Sequence, residues 1–245
     1  KAADCRNIQT FSLDSTSGDW QASQLRSGGL GSSFLLTGPD GIRQRVELGI
    51  PGRHNVKNAL AAAAICSWAG VSAEKISAAL ESFPGVNRRF QILVREPVTV
   101  IDDYAHHPTE VEALLSAARD VGFSGKVIGV FQPHQYSRLR QMFDEFAEAL
   151  SGFDEVLVTK PYQARDSEED RAAVNSDMLT REIKRLGGEV SDTPSFRDAH
   201  ARLDEIVLPG DAVIFMGAGS ITSMASEYAG KPLGIEIMSK RLVAN

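Results

Sequence analysis

Apolar and polar positions follow two different patterns along this chain, and the pattern changes near residue 84. Before that point, three strand-like stretches precede two helical patterns. The predicted strands cover residues 8–13, 32–37 and 42–48. The predicted helices cover residues 55–69 and 72–82. These strands are too few and too polar for a self-contained sheet domain, so we interpret residues 1–83 as the C-terminal portion of a larger domain.

After residue 84, short apolar stretches alternate regularly with helical patterns. The predicted strands cover residues 90–94, 98–102, 126–131, 155–159, 189–191 and 212–216. The predicted helices cover residues 109–121, 138–150, 176–186, 196–206 and 221–228. This alternation predicts an α/β domain over residues 84–245, with a Rossmann-like, mostly parallel sheet and helices on both faces.

Composition narrows the class of protein. The 245 residues are 42% hydrophobic and 24% charged, as in ordinary globular proteins. A net charge of −6 argues against a nucleic-acid-binding protein. Two cysteines fit a reducing compartment, and no apolar stretch approaches the roughly 18 residues that span a bilayer. We therefore expect a soluble cytoplasmic protein that binds neither nucleic acid nor membrane.

Candidate chemistry is concentrated where the predicted strand 98–102 ends. Residues 101–110 read Ile-Asp-Asp-Tyr-Ala-His-His-Pro-Thr-Glu, so carboxylates, an aromatic ring and imidazoles separate a strand from a helix. The carboxyl ends of parallel strands are where α/β sheets hold ligands. The alternative is an aspartate that caps the helix beside solvated histidines. We expect Asp103 and His106 to matter most.

A second candidate is residues 52–62, Gly-Arg-His-Asn-Val-Lys-Asn-Ala-Leu-Ala-Ala. Asn55 and Asn58 are three apart at a helix start, so they share a face and match the donor and acceptor edge of adenine. His54 lies near the positive end of the helix dipole, where a phosphate would also be favoured. The alternative is that Asn55 simply caps the helix.

Two arginines and a second strand end complete the candidates. Arg88 and Arg89 precede the strand 90–94 and are suited to clamp a phosphoryl group, unless they are only solvated charges. Residues 131–138, Phe-Gln-Pro-His-Gln-Tyr-Ser-Arg, follow another strand and bring His134, Tyr136 and Arg138 towards the same crevice.

Other motifs exclude some classes of enzyme. Residues 216–221, Met-Gly-Ala-Gly-Ser-Ile, form a glycine-rich turn suited to an anion, but the dinucleotide fingerprint is incomplete. A hydride-transfer enzyme is therefore not expected. No stretch matches a P-loop, because Gly125-Lys126 is followed by Val127. We interpret the acidic run 166–170 as a solvated loop and expect no metal ligands in this chain.

Five of these motifs together resemble the Mur ligases, ATP-dependent enzymes that form amide bonds in peptidoglycan precursor synthesis. They occur in the family's order across residues 50–221. The resemblance implies that residues 1–83 are the end of a central, P-loop-type ATP-binding domain, and that residues 84–245 are the domain that binds the incoming amino acid. The UDP-binding domain, the P-loop and the Mg²⁺ ligands would lie upstream, so we expect this chain to be inactive alone.

The resemblance also implies roles for individual residues. The residues assigned to ATP are His54, Asn55, Asn58, Arg89 and Asp103. The residues assigned to the substrates and the new amide are Tyr104, His106, His134, Tyr136 and Arg138. Arg89 and His106 would act in catalysis. Many members have arginine where this chain has Gln135, and aspartate where it has Ser220.

The pattern is most similar to the member of the family that joins L-alanine to UDP-N-acetylmuramate. ATP would phosphorylate the muramyl carboxylate, and the amine of L-alanine would attack the resulting acyl phosphate. One alternative within the family attaches a preformed tripeptide instead. Another alternative, of a different class, is a non-catalytic nucleotide-sensing module that lacks the ATPase half.

Overall fold

A computed structural model describes residues 8–13 and 17–231, and these residues form two compact units that divide between Gly85 and Val86. The first unit contains a four-stranded sheet in the order β1-β2-β3-β4. Its strands are β1 (Phe11–Leu13), β2 (Trp20–Gly28), β3 (Gly31–Thr37) and β4 (Arg43–Leu48). Its helices are α1 (Arg53–Trp68) and α2 (Ala73–Glu81).

The first unit is more complete than its sequence predicts. Strand β2 was not predicted, and it pairs in parallel with β1 and antiparallel with β3. Its pattern is irregular because Gln24 has a positive φ of 52° and the pairing register shifts between Ser23 and Arg26. Trp20 and Phe34 are buried against α1, so these strands share a hydrophobic core with the helices of the unit. That residues 1–83 are the C-terminal portion of a larger domain stays a prediction.

The second unit is a six-stranded sheet in the order β5-β6-β10-β7-β8-β9. Its strands are β5 (Gln91–Val94), β6 (Thr99–Asp103), β7 (Val127–Phe131), β8 (Glu155–Val158), β9 (Val190–Asp192) and β10 (Ala212–Met216). Only β5 runs antiparallel to its neighbour, so the predicted mostly parallel α/β sheet is confirmed.

Helices cover both faces of this sheet, as predicted. They are α3 (Pro108–Val121), α4 (Tyr136–Gln141), α5 (Phe143–Ser151), α6 (Glu168–Ala173), α7 (Ser176–Arg185), α8 (Phe196–Ile206) and α9 (Ile221–Ala229). Val130 and Phe215 face α8 and α9, whereas Phe131, one position along β7, packs on Phe146 of α5. Since successive strand residues point to opposite faces, these contacts define two apolar layers.

Two details of the helices differ from the prediction. The single helix expected over residues 138–150 is broken at Met142, which has φ −123° and ψ 36° and therefore cannot continue an α-helix. The acidic run 166–170 is not a solvated loop, because Asp166 is buried and α6 begins at Glu168. Ser167 caps that helix by accepting a hydrogen bond from the Asp170 amide.

Candidate active site

The candidate site lies where β6, β10 and β7 end. These strands are adjacent and parallel, and Met216 at the end of β10 is in register with Asp103 on one side and Phe131 on the other. The strand order therefore brings the loops after β6 and β7 to one edge, as expected at a switch point of an α/β sheet. His106 from the first loop and His134 from the second lie with ring centroids 6.2 Å apart.

Asp103 is buried and bound by main-chain amides. Its Oδ2 accepts a hydrogen bond from the Phe90 amide at 2.7 Å, and its Oδ1 accepts one from the Ala105 amide at 2.8 Å. Burial raises the pKa of Asp103 to about 6, although the two amides and Arg89 act in the opposite direction. This carboxylate thus connects the start of β5 to the loop after β6 through two hydrogen bonds.

Asp102 and Arg88 form a second, internal connection. Asp102 Oδ2 accepts a hydrogen bond from Thr222 Oγ1 at 2.6 Å and lies 3.6 Å from Arg88 Nε. Arg88 Nη2 donates to the carbonyl oxygen of Gly217 at 2.6 Å. The Asp102 side chain is 3% exposed, so this is a buried ion pair that ties the ends of β6 and β10 to the start of β5.

The two neighbouring arginines therefore have different environments. Arg88 is committed to internal partners, whereas the Arg89 side chain is 48% exposed and lies 3.5 Å from Glu110 Oε1. Both guanidinium groups lie over the ring of Tyr104, at 4.6 Å and 5.6 Å from its centroid. Of the pair predicted to clamp a phosphoryl group, only Arg89 is available for that task.

His106 is held from two sides through one ring nitrogen. Its Nδ1 lies 2.8 Å from the carbonyl oxygen of Tyr104 and 3.1 Å from Glu110 Oε2. The same Glu110 oxygen accepts the backbone N–H of His106 at 3.0 Å. Burial acts to raise the pKa of Glu110, but this amide, the imidazole and Arg89 outweigh it and lower the pKa.

Glu110 is the last residue of the motif at residues 101–110, and no role was predicted for it. It lies four residues after His106 in the first turn of a helix, where a carboxylate is favoured by the helix dipole. The spacing of four residues was the feature of the sequence that could have predicted the contact between Glu110 and His106.

His134 and Arg138 carry polar atoms that the fold leaves without partners. His134 Nδ1 and Arg138 Nη1 are buried, and neither has a hydrogen-bond partner among the described residues. Burial, the charge of Arg138 and that of His106 lower the pKa of His134, with Asp166 opposing them. Buried polar atoms normally have partners, so these two fit a bound anion such as a carboxylate.

The loop after β8 supports the same part of the site. The ring of Tyr162 is stacked on His134 at 5.5 Å, and its amide donates to the carbonyl oxygen of Pro133 at 2.7 Å. Asp166 accepts hydrogen bonds from the Ser137 amide at 3.1 Å and the Ala164 amide at 3.2 Å. Tyr136 is partly buried at the start of α4.

The glycine-rich turn after β10 is not an open anion cradle. Gln132 Oε1 accepts the Ile221 amide at 3.1 Å, and Gln132 Nε2 donates to Ser220 Oγ at 3.2 Å. A Cβ on Gly219 would come within 2.6 Å of Gln132 Oε1 and of the Tyr162 ring. The start of α9 is therefore closed by the side chain of Gln132, the residue that follows β7.

The remaining candidates, His54, Asn55 and Asn58, lie in the first unit. Helix α1 begins at Arg53 after Gly52, whose φ is 98°, so the alternative in which Asn55 caps the helix is wrong. Asn55 Nδ2 instead donates to the Pro51 carbonyl oxygen at 2.7 Å, and Asn58 Nδ2 lies 3.4 Å from Asn55 Oδ1. The two asparagines share one face, as predicted, and His54 and Asn58 are exposed.

Two features that would bear on function are absent from the described residues. Within residues 8–13 and 17–231, no group of three or more histidine, cysteine, aspartate or glutamate side chains is arranged to hold a metal ion. In the same part of the chain, no helix is both long and apolar enough to cross a membrane.

Comparison with known families identifies the class of protein. Residues 88–219 match the model of the Mur ligase glutamate ligase domain, and residues 1–66 match that of the Mur ligase middle domain. The first match alone covers more than half of the 245 residues, so this chain belongs to the Mur ligase family. The resemblance found in the five sequence motifs is confirmed.

Individual relatives narrow the comparison. The chain is 42% identical over 184 residues to the UDP-N-acetylmuramate–L-alanine ligase of Sulfurihydrogenibium sp., covering 75% of this chain and 40% of that protein. The crystal structure of the UDP-N-acetylmuramate–alanine ligase MurC from Thermotoga maritima matches with a TM-score of 0.71 and 28% identity, over 91% of this chain and 47% of that one.

A third match shares the fold alone. It is MurF ligase from Thermotoga maritima in complex with ADP, with a TM-score of 0.64 and 18% identity, over 91% of this chain and 49% of that one. This chain therefore spans about half the length of the ligases it matches.

Proposed function

We propose that this chain is part of an ATP-dependent ligase that joins L-alanine to the carboxylate of UDP-N-acetylmuramate through an acyl phosphate. The observation that carries the proposal is the grouping of His106, His134 and Arg138 at the shared edge of β6, β10 and β7. The similarity to UDP-N-acetylmuramate–L-alanine ligases supports the choice of substrates.

In this proposal the second unit binds the amino acid, and residues 84–245 form that domain. The buried Nη1 of Arg138 and Nδ1 of His134 would bind the carboxylate of L-alanine. Tyr104 and Tyr136 would line the same subsite. His106 would lie beside the attacking amine, where an imidazole is suited to accept a proton.

Residues 1–83 would belong to the ATP-binding domain. Asn55 and Asn58, whose side chains lie next to each other, would bind the adenine edge, and His54 would lie next to them.

Two residues of the second unit would also contact ATP. Arg89, which is half exposed, would stabilise negative charge on the phosphate that leaves. Asp103 would bind the ribose hydroxyls through lone pairs that the two amides leave available.

The chemical step is a substitution at the acyl carbon. The amine nitrogen of L-alanine forms a bond to that carbon, the bond from carbon to the phosphate oxygen breaks, and inorganic phosphate leaves while the amine loses a proton. Mg²⁺ would neutralise phosphate charge in such a ligase.

The test is phosphate release by the full-length protein with UDP-N-acetylmuramate and ATP. L-alanine is expected to support release. An Arg138→Ala variant should raise the KM for L-alanine at least about tenfold and leave the KM for ATP unchanged, because it removes a charged hydrogen bond to one substrate. Arg140→Ala, two residues along the same helix and paired with Glu169, is the matched control. Equal KM values in the two variants would contradict the assignment.

The same assay separates the alternatives. A preformed tripeptide that supports faster phosphate release than L-alanine would favour the recycling ligase. The run Phe-Gln-Pro-His-Gln-Tyr-Ser-Arg over residues 131–138 favours the alanine ligase. Tight ATP binding by these 245 residues alone, without turnover, would favour the nucleotide-sensing module, whereas we expect weak binding and no activity.

A further inference from the structure

We propose that Glu110 is a positioning residue that fixes His106 in one tautomer and leaves Nε2 as the only basic atom of its ring. The role of Glu110 in catalysis rests on the proposed function, whereas the assignment of the His106 tautomer does not depend on it. Neither the sequence motifs nor the family comparison assigned a role to Glu110.

The argument begins with the two acceptors around His106 Nδ1. The Tyr104 carbonyl oxygen, at 2.8 Å, has no proton to offer. Glu110 Oε2, at 3.1 Å, belongs to a carboxylate whose pKa is lowered, so at neutral pH it has none either. A nitrogen between two acceptors must itself carry the hydrogen, since the alternative would place lone pairs against lone pairs.

The consequence concerns the opposite side of the ring. A neutral imidazole has one protonated nitrogen and one acceptor, so a proton on Nδ1 makes Nε2 the acceptor. None of the described residues makes a hydrogen bond to Nε2, and the His106 side chain is 22% exposed. In the proposed ligase, Nε2 is therefore the atom that takes the proton from the attacking amine.

Glu110 is itself well held, which is what positioning requires. Its Oε2 also accepts the backbone N–H of His106 at 3.0 Å, so ring and main chain are fixed by the same oxygen. Its Oε1 lies 3.5 Å from Arg89 Nη1, which keeps a positive charge beside the carboxylate. The helix dipole at the start of α3 adds to this stabilisation.

The structural part is tested by NMR on the 245-residue chain with ¹⁵N-labelled histidine. The His106 signals are assigned by their loss in a His106→Asn variant. We expect Nδ1 to show the shift of a protonated nitrogen and Nε2, in the neutral ring, that of an acceptor. A ring protonated at Nε2 alone would overturn the proposal.

The role of Glu110 is tested by a double-mutant cycle in the full-length ligase. Glu110→Gln should lower kcat about ten- to a hundredfold, part of the 10²–10⁴ that a positioned acid–base group provides, with KM values within about twofold. In a His106→Asn background, the same change should cost less than about twofold, because its effect passes through His106. Equal costs in both backgrounds would overturn the proposal.

Glu112→Gln is the matched control, since Glu112 is an exposed glutamate on the same helix. It should leave both kcat and the His106 spectrum unchanged. A ligase that is active but equally sensitive to Glu110→Gln and Glu112→Gln would contradict this inference alone. The expected NMR spectrum together with no ligase activity would contradict the proposed function while leaving the tautomer assignment intact.

Discussion

The two units differ in how they hold their candidate site residues. In the first unit, His54 and Asn58 are exposed at the start of a helix. In the second, Asp102 and Asp103 are buried and bound to main-chain amides, a threonine and an arginine. Ligand binding and folding stability should therefore be separable in the first unit, whereas in the second the same side chains contribute to both.

The chain carries its own spectroscopic probes for testing this difference. Both tryptophans, Trp20 and Trp68, lie in the first unit, and all four tyrosines lie in the second. Trp20 is fully buried, so tryptophan fluorescence reports unfolding of the first unit. Near-ultraviolet circular dichroism of tyrosine reports unfolding of the second.

The largest expected effect comes from the buried ion pair. Asp102→Ala should lower the free energy of unfolding of the second unit by about 3 kcal/mol, because it leaves the charge of Arg88 without its carboxylate and the Thr222 hydroxyl without its acceptor. The control is Glu47→Ala in the first unit, which breaks an exposed pair with Arg45 and should cost less than about 1 kcal/mol. If urea titrations showed similar losses in the free energy of unfolding for the two variants, the second unit would not depend more strongly on its charged side chains than the first.

Asp103 should make the second unit sensitive to pH. Its pKa is about 6 in the folded protein against 3.8 ordinarily, a difference worth about 3 kcal/mol. Because this pKa is raised, the folded state binds the extra proton, and stability is lost as pH rises from about 4 to about 6. We expect wild type to lose about 2.4 kcal/mol relative to Asp103→Asn between pH 4 and pH 7, because the unfolded carboxyl is already partly ionised at pH 4.

That comparison is made from tyrosine circular dichroism in urea at each pH. Most other titrating groups cancel, since both proteins contain them. Curves that stay parallel across this range would show that the two amides, rather than burial, control the ionisation of Asp103.

A smaller effect is expected at the glycine-rich turn. A methyl group on Gly219 would meet Gln132 Oε1 and the Tyr162 ring at 2.6 Å, so Gly219→Ala should cost about 1–3 kcal/mol in the second unit. Gly28→Ala in β2 is the control, because a Cβ there meets nothing within 4 Å. An unchanged melting temperature in the Gly219 variant would mean that the turn is looser than its contacts indicate.

The smallest effect on stability is expected in the first unit. Asn58→Ala removes an exposed side chain, so the free energy of unfolding reported by tryptophan should change by less than about 0.5 kcal/mol. The same change should weaken ATP binding by the full-length protein about fivefold, the value of one hydrogen bond. A variant that is destabilised but keeps its ATP affinity would show that the Asn58 side chain contributes to folding and not to ligand binding, which is the opposite of what we expect for the first unit.

Local patterns predicted most elements of the second unit and failed where partners lie far apart in sequence. The apolar runs of β6, β7 and β10 and their polar ends were evident, because each run lies within one element. Strand β2 was missed because its outer positions are polar and its register shifts at Gln24. The closure of α9 by Gln132 joins residues 89 apart, and no local pattern predicts such a pair.

The sequence by itself determined the order of strands and helices, the concentration of polar groups at strand ends, and the membership of the Mur ligase family. The tertiary structure alone decided which of two adjacent arginines remains available, since the bond from Arg88 to Gly217 spans 129 residues. It also decided that Asp103 is buried and that His106 is held by Glu110. The physical reason is that β10, the last of the described strands in sequence, inserts between β6 and β7, so the partners at the site are set by strand order and not by distance along the chain.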